Sequence, residues 1–395
     1  MVFSTPNARC ILVTKYLLPI FLLTAFLLIS SNLVILRLPN NEDKSSAFSS
    51  INRQQINTPT ISVTNAKSFP NWPAIAHEEL PHPLVIKGDS FFNHARDYFF
   101  SKDHGDSSSG QTLMDEFVEI YKKRPDPVNM CGIRINHAMA LFLAVKQIKP
   151  TLVIESGVNA GISTYFIRAA SSTTKIFAID PLEKPICRQG KRWIDESGLT
   201  TYYTGKNFVD LLDIDWKTMI AKKEVDPDST LVFIDDHLHA FERVAKCSRF
   251  GFRHFVVEDN YKKGEGATPK DKVSTPKQYF NSHAEYKIEG DWLFANVKAY
   301  AEFPPIVPPI MAKEYTGDRK AAGGFMVASD TNEDIMPPML RPDLSSEDMK
   351  LYQEIAVELG MDPSLKDVES YMQFMCYNQI CHLEMIPIPD AIKIT

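Results

Sequence analysis

Residues 151–163, Thr151-Leu-Val-Ile-Glu155-Ser-Gly157-Val-Asn159-Ala-Gly161-Ile-Ser163, decide the fold. A short apolar run ends on an acid, and two glycines four apart follow before the next apolar residue. That pattern is a buried strand turning into a helix. Similar runs recur downstream: KIFAID at 175–180, TYYT at 201–204, TLVFID at 230–235 and RHFVVE at 253–258. Between them lie helical segments, clearest from Leu238 to Phe250, where Leu238, Phe241, Val244, Ala245 and Cys247 recur at helical spacing. Amphipathic stretches at Leu113–Lys122 and Ile135–Gln147 precede the first strand. Strands that are apolar on both faces and alternate with helices predict a doubly wound, mostly parallel Rossmann-like α/β sheet. In such sheets ligands bind at the carboxyl ends of the strands.

Those ends carry the polar residues. Glycines at Gly157 and Gly161 let a ligand approach the backbone of the first turn, and Asp180 closes the next strand 23 residues after Gly157. An acid there can accept hydrogen bonds from ribose hydroxyls, so the pair points to a nucleoside-containing cofactor. The alternative is that glycines and acid serve only the turns. The fourth strand ends in Ile234-Asp235-Asp236-His237-Leu238-His239 and the fifth in Val257-Glu258-Asp259-Asn260. Asp236, Glu258 and Asp259 can converge on one sheet edge, where unpaired carboxylates repel and a divalent cation relieves the repulsion. All-oxygen ligation suits Mg²⁺, Mn²⁺ or Ca²⁺, with Mg²⁺ the default for an enzyme. The alternative is a solvated acidic rim. His239 follows Asp236 by one helical turn, which can return an imidazole to the same edge as a general base. On that geometry His237 points elsewhere.

The 395 residues, 44% hydrophobic and 23% charged, are ordinary globular composition and exclude a disordered chain, collagen or a disulfide miniprotein. A net charge of -6 gives no field for nucleic acid. The six cysteines form no CxxC motif, which disfavours a zinc ribbon. Cys376 and Cys381 are read as small buried hydrophobes. Between Lys15 and Arg37 lie 21 uncharged residues, YLLPIFLLTAFLLISSNLVIL, enough for one bilayer crossing. Residues 1–15 are expected as a short cytosolic tail, 16–36 as a signal anchor and 37–84 as a Ser-, Thr- and Asn-rich stem holding a lumenal body, in the endomembrane system. Cleavage as a signal peptide, giving a secreted or organellar protein, is the alternative. Residues 85–310 are expected to form the catalytic domain and 311–395 a partly helical extension. Edge strands are expected within Trp292–Ala301 and Gly323–Ala328, with a helix capped by Ser345 and ended by Gly360 and a next one beginning at Asp362-Pro363. The oligomeric state is left open by the sequence.

VIESGVNAGIS, Asp180, IDDHLH and VVED, in this order, resemble the metal-dependent S-adenosylmethionine methyltransferases of the cephalosporin hydroxylase and rhamnosyl O-methyltransferase type. The macrolide-sugar O-methyltransferases share the acid-x-x-His and Glu-Asp features. The resemblance covers roughly residues 130–300. It implies that Glu155, Gly157, Asn159, Gly161, Ser163, Asp180 and Asp235 hold S-adenosylmethionine. By the same resemblance Asp236, Glu258 and Asp259 hold Mg²⁺ or another divalent cation, and His239 takes the acceptor proton. In the arrangement of catechol-type O-methyltransferases, Asn260 would replace Glu258 as a ligand. The expected activity is methyl transfer to a hydroxyl of a small-molecule or glycan acceptor. Two other readings stand beside it: a type II membrane glycosyltransferase using Asp235-Asp236 as its metal pair, and a non-catalytic binding domain.

Overall fold

The computed structural model describes residues 88–387, apart from 106–107, 109, 128–131, 187–190, 261–274, 282–286, 308–337, 341–345 and 365–378. The anchor, the stem, the strand expected at Gly323–Ala328 and Cys376 lie outside the described residues. Among the described residues no helix is long and apolar enough to cross a membrane.

After a single 3-10 turn at Phe91–His94, helices α1 (Ala95–Phe100), α2 (Leu113–Lys122) and α3 (Ile135–Ile148) lead into the sheet. Strand β1 (Leu152–Ser156), helix α4 (Ile162–Ala170), β2 (Lys175–Asp180), β3 (Thr200–Thr204), α5 (Trp216–Ala221), β4 (Thr230–Ile234), α6 (Ala240–Arg249) and β5 (His254–Val257) then alternate as the apolar runs require. Next come α7 (Pro276–Asn281), α8 (Lys287–Asn296), β6 (Val297–Glu302), α9 (Ser346–Glu358) and β7 (Cys381–Met385). The strand order is β3-β2-β1-β4-β5-β7-β6. β1 to β5 are parallel, and β7 runs antiparallel to both β5 and β6. This is the doubly wound Rossmann-like sheet the alternation predicts, completed by an antiparallel edge.

Alternate residues of each strand feed two cores, one on each face. Val153, Leu231, Phe233 and Val256 join Phe117, Phe142 and Phe166 from α2, α3 and α4. Leu152, Ile154, Val232, Ile234, Phe255 and Val257 join Trp216, Phe241 and Val244 from α5 and α6. Phe117 and Phe166 stack with ring centroids 5.9 Å apart. Each such buried ring contributes about 2–3 kcal/mol by leaving water.

Two elements differ from expectation. Trp292–Asn296 is the last turn of α8 and the strand begins only at Val297, the helix end being held by Asn296 Nδ2 donating to the Trp292 carbonyl at 2.8 Å. The stretch assigned to a C-terminal extension supplies β7, inserted between β5 and β6, so a boundary at residue 310 does not separate it from the sheet. Gly360 does end α9, at φ 71° with its N–H on the Val357 carbonyl. The helix expected to begin at Asp362-Pro363 lies largely outside the described residues, and Asp362 accepts from Ser364 N at 2.8 Å. Cys247 and Cys381 are buried free thiols.

The register positions the site. Ser156 lies opposite both Ile179 and Ile234, and Ile234 lies opposite Val257. One residue further along each strand, Gly157, Asp180, Asp235 and Glu258 therefore stand level along one edge.

Candidate active site

At the first strand end, Glu155 is buried beneath the start of α4 and accepts hydrogen bonds from the hydroxyls of Ser163 and, at 2.6 Å, Thr164. Burial pushes its carboxyl up to about 7 from an ordinary 4.5. Glu155 and Ser163 thus tie β1 to α4. Gly157 has φ 99°, and a Cβ on it would lie 2.2 Å from the Asp235 carbonyl oxygen. Gly161 has φ 79°, and its Cβ would lie 2.4 Å from the Trp193 carbonyl oxygen. Both glycines are required first by neighbouring protein backbone rather than by a ligand crossing the turn, which corrects the sequence argument for them.

Asn159 adopts the left-handed region at φ 42°. Its N–H and that of Val158 donate to Asp180 Oδ2 at 2.6 and 3.1 Å, and Leu182 N donates to Oδ1 at 2.7 Å. Arg192 approaches the same carboxylate at 3.6 Å and donates from Nε to the Asn159 carbonyl. A carboxylate has about four acceptor positions. Three backbone donors therefore leave Asp180 room for roughly one further hydrogen bond, so it holds the turn and keeps capacity for a single ligand hydroxyl.

At the fourth and fifth strand ends, the two adjacent aspartates separate. Asp235, His237 and Asp259 each bring one donor atom within 4.8 Å of the others. His237 has φ 54°, which turns its ring back so that Nδ1 hydrogen-bonds Asp259 Oδ2. Asp259 raises the His237 pKa to about 10, while burial, reinforced by the charge of Asp259, raises Asp235 to about 8. Asp236 faces away: its Oδ2 accepts a hydrogen bond from the Ser156 hydroxyl at 2.5 Å and forms an ion pair with Arg243 Nε at 2.6 Å. Arg243 in turn grips Asp210 with two bonds of 3.0 and 2.9 Å. The expected convergence of Asp236 with Glu258 and Asp259 is thus replaced by that of Asp235 and His237 with Asp259. A metal shared between Asp235 and Asp236, as the glycosyltransferase reading needs, does not match this divergence.

Glu258 is 2% exposed and hydrogen-bonds His137 Nδ1 through Oε1 at 2.8 Å, while its Oε2 is buried without a hydrogen-bond partner. Burial and the carboxyls of Asp235 and Asp259 push its pKa well up. Asn260 is turned from this cluster: Nδ2 donates to Tyr300 Oη at 2.9 Å and Oδ1 accepts from Lys277 N at 2.9 Å. That engagement argues against Asn260 as a ligand in place of Glu258. His239 is exposed at the N-cap of α6 with no side-chain capping bond, outside the Asp235–His237–Asp259 group. His237, expected to point elsewhere, is the histidine that joins the acids.

His137 and Arg243 belong to no motif that spacing singles out. His137 sits in the first turn of α3 and is fully buried, with its pKa lowered by burial to about 3. Its signal was the pair Asn136-His137 at the head of an otherwise apolar helix.

No family model and no curated protein matches the sequence. Solved structures with a similar chain path are distant. A cofactor-bound protein, Rv0187 from MTB, is 15% identical over 42% of this chain and 71% of its own, with a TM-score of 0.25. A structure described as cmcI-D160 Mg-SAM is 14% identical over 41% of this chain and 62% of its own, with a TM-score of 0.26. A cyclopropane-fatty-acyl-phospholipid synthase-like protein from Lactobacillus casei is 10% identical over 75% of this chain and 98% of its own, with a TM-score of 0.30. With every score below 0.5, function has to be argued from this chain's own residues.

Proposed function

We propose that this protein is an S-adenosylmethionine-dependent O-methyltransferase that uses a divalent metal to handle a hydroxyl of a small-molecule or glycan acceptor. The observation that carries the reading is the contact between two turns. Gly157 packs so close to the Asp235 backbone that a Cβ on it would lie 2.2 Å from the Asp235 carbonyl oxygen, so a nucleoside-type turn and a cluster of metal-type donors share one edge of the sheet. Methyl transfer to oxygen needs that juxtaposition, because donor and acceptor must be held in line within one site.

Bound S-adenosylmethionine would supply the methyl group, and a divalent cation would lower the pKa of the acceptor hydroxyl. This chain's residues do the rest. Asp180 fixes the turn through Val158 and Asn159 and keeps one acceptor position for a ribose hydroxyl. Glu155, Ser163 and Thr164 lock that turn to α4, and Gly161 admits the Trp193 backbone against it. Asp235, His237 and Asp259 would hold the metal, with Glu258 behind them oriented by His137. His237 is counted among the metal donors, whereas His239 lies outside them at the exposed head of α6, two residues further on. His239 is therefore retained as the proton acceptor, and His239→Ala should lower transfer by about two to four orders of magnitude with cofactor affinity unchanged. The membrane anchor at 16–36 and a lumenal, endomembrane location complete the proposal.

Calorimetric titration of the full chain with S-adenosylmethionine and, separately, with a nucleotide sugar tests the reading. Saturable binding of the former alone supports it. Binding of the nucleotide sugar alone would replace it with glycosyl transfer, and binding of neither would leave a non-catalytic domain.

A further inference from the structure

We infer that Asp235, His237 and Asp259, with the buried carboxyl of Glu258 beside them, form a mixed nitrogen and oxygen metal site that selects a transition ion of the Mn²⁺ to Zn²⁺ series over Mg²⁺. This inference rests on the metal half of the function proposed above and names the ion that half requires. Three residues of the sequence, Asp236, Glu258 and Asp259, read as a purely carboxylate set, point to Mg²⁺; the fold replaces Asp236 by Asp235 and adds an imidazole.

Three observations carry the argument. The donor atoms of Asp235, His237 and Asp259 lie within 4.8 Å of one another, a separation one ion can span. His237 occupies the left-handed region at φ 54°, where non-glycine residues are uncommon, and this conformation brings its Nδ1 onto Asp259. Beside them Glu258, 2% exposed, carries an Oε2 with no hydrogen-bond partner, and its carboxyl interacts directly with those of Asp235 and Asp259. A buried carboxylate oxygen left unsatisfied is costly unless a cation completes it.

Imidazole is a borderline ligand: it suits Zn²⁺, Fe²⁺ and their neighbours, whereas Mg²⁺ favours oxygen donors and gives up its water reluctantly. A set of two or three carboxylate oxygens with one imidazole nitrogen therefore binds Mn²⁺ acceptably and the later ions better, while for Mg²⁺ the nitrogen adds little. His137, bonded to Glu258 Oε1 at 2.8 Å, fixes the orientation of that carboxyl behind the three donors.

Mn²⁺ titration of the full chain followed by electron paramagnetic resonance, without S-adenosylmethionine, is the test. One Mn²⁺ should bind, Mg²⁺ should displace it only in large excess, and spin-echo modulation should show a directly coordinated imidazole nitrogen. His237→Asn, which tolerates the left-handed backbone, should remove the nitrogen signal and most of the preference for Mn²⁺. Absence of Mn²⁺ binding, equal affinity for Mg²⁺, or a nitrogen signal that survives His237→Asn would each overturn the inference. Since the cofactor takes no part in the titration, failure here leaves cofactor binding untouched. Failure of cofactor binding leaves the ion preference standing.

Discussion

Arg243 Nε lies 2.6 Å from Asp236 Oδ2, and this ion pair determines which of two adjacent aspartates faces Asp259. Arg243 is itself fixed by Asp210, so Asp236 is drawn toward α6 while Asp235 is left with His237 and Asp259. The two aspartates should respond differently to the same substitution. Asp235→Asn should weaken Mn²⁺ binding at least about tenfold with little change in stability. Asp236→Asn should leave Mn²⁺ binding nearly intact and cost about 1–3 kcal/mol in denaturant unfolding. The reverse pattern would restore Asp236 as the ligand.

Gly157 should behave as a folding residue before it behaves as a binding residue. Its φ of 99° and the 2.2 Å approach of the Asp235 carbonyl to a Cβ mean that even alanine must displace backbone. Gly157→Ala should therefore lower unfolding stability by more than about 1 kcal/mol, measured without any ligand. An unchanged midpoint would show that the two turns can separate.

Stability should fall with rising pH through Glu155. Its folded pKa is raised by burial to about 7 from an ordinary 4.5. The protonated carboxyl therefore favours the folded state below pH 4.5, and this contribution is lost as pH rises to 7. Over that window the loss attributable to this one group is on the order of 3 kcal/mol. Urea unfolding of Glu155→Gln compared with the native chain should show a flatter pH dependence across the same range. Parallel curves would show that Glu155 ionises normally.

Asn260→Ala tests the alternative ligand set. Its side chain joins Tyr300 and the Lys277 backbone at 2.9 Å each, so the variant should lose about 1–3 kcal/mol of stability. Mn²⁺ affinity should stay within a few-fold of the native value, and a collapse of that affinity in a folded variant would make Asn260 a ligand.

Strands β1, β2, β4 and β5 were legible because each is a short apolar run whose end is marked by a polar residue, and β3 because Thr and Tyr favour a strand. β7 was not, because its alternating Cys381-His-Leu-Glu-Met385 is only five residues long and its partners β5 and β6 are far away in sequence. The same physics limited the site. Strand register brought Gly157, Asp180, Asp235 and Glu258 level, as adjacent parallel runs imply. The direction taken by Asp235, Asp236 and His237 after β4 depends on φ at His237 and on Arg243 in the next helix, neither of which follows from spacing. Asp180 was found by position, but its engagement by three backbone N–H groups became visible only in the fold.

In the proposed function S-adenosylmethionine binds at the carboxyl ends of β1 and β2. Hydrogen–deuterium exchange of the full chain with and without S-adenosylmethionine tests it most directly, because the backbone N–H groups of Val158, Asn159 and Leu182 report on this turn. Saturating cofactor should slow exchange across residues 157–163 and 180–182, with a smaller effect at 235–239. Unchanged exchange at those segments, or protection confined to another part of the chain, would contradict the account.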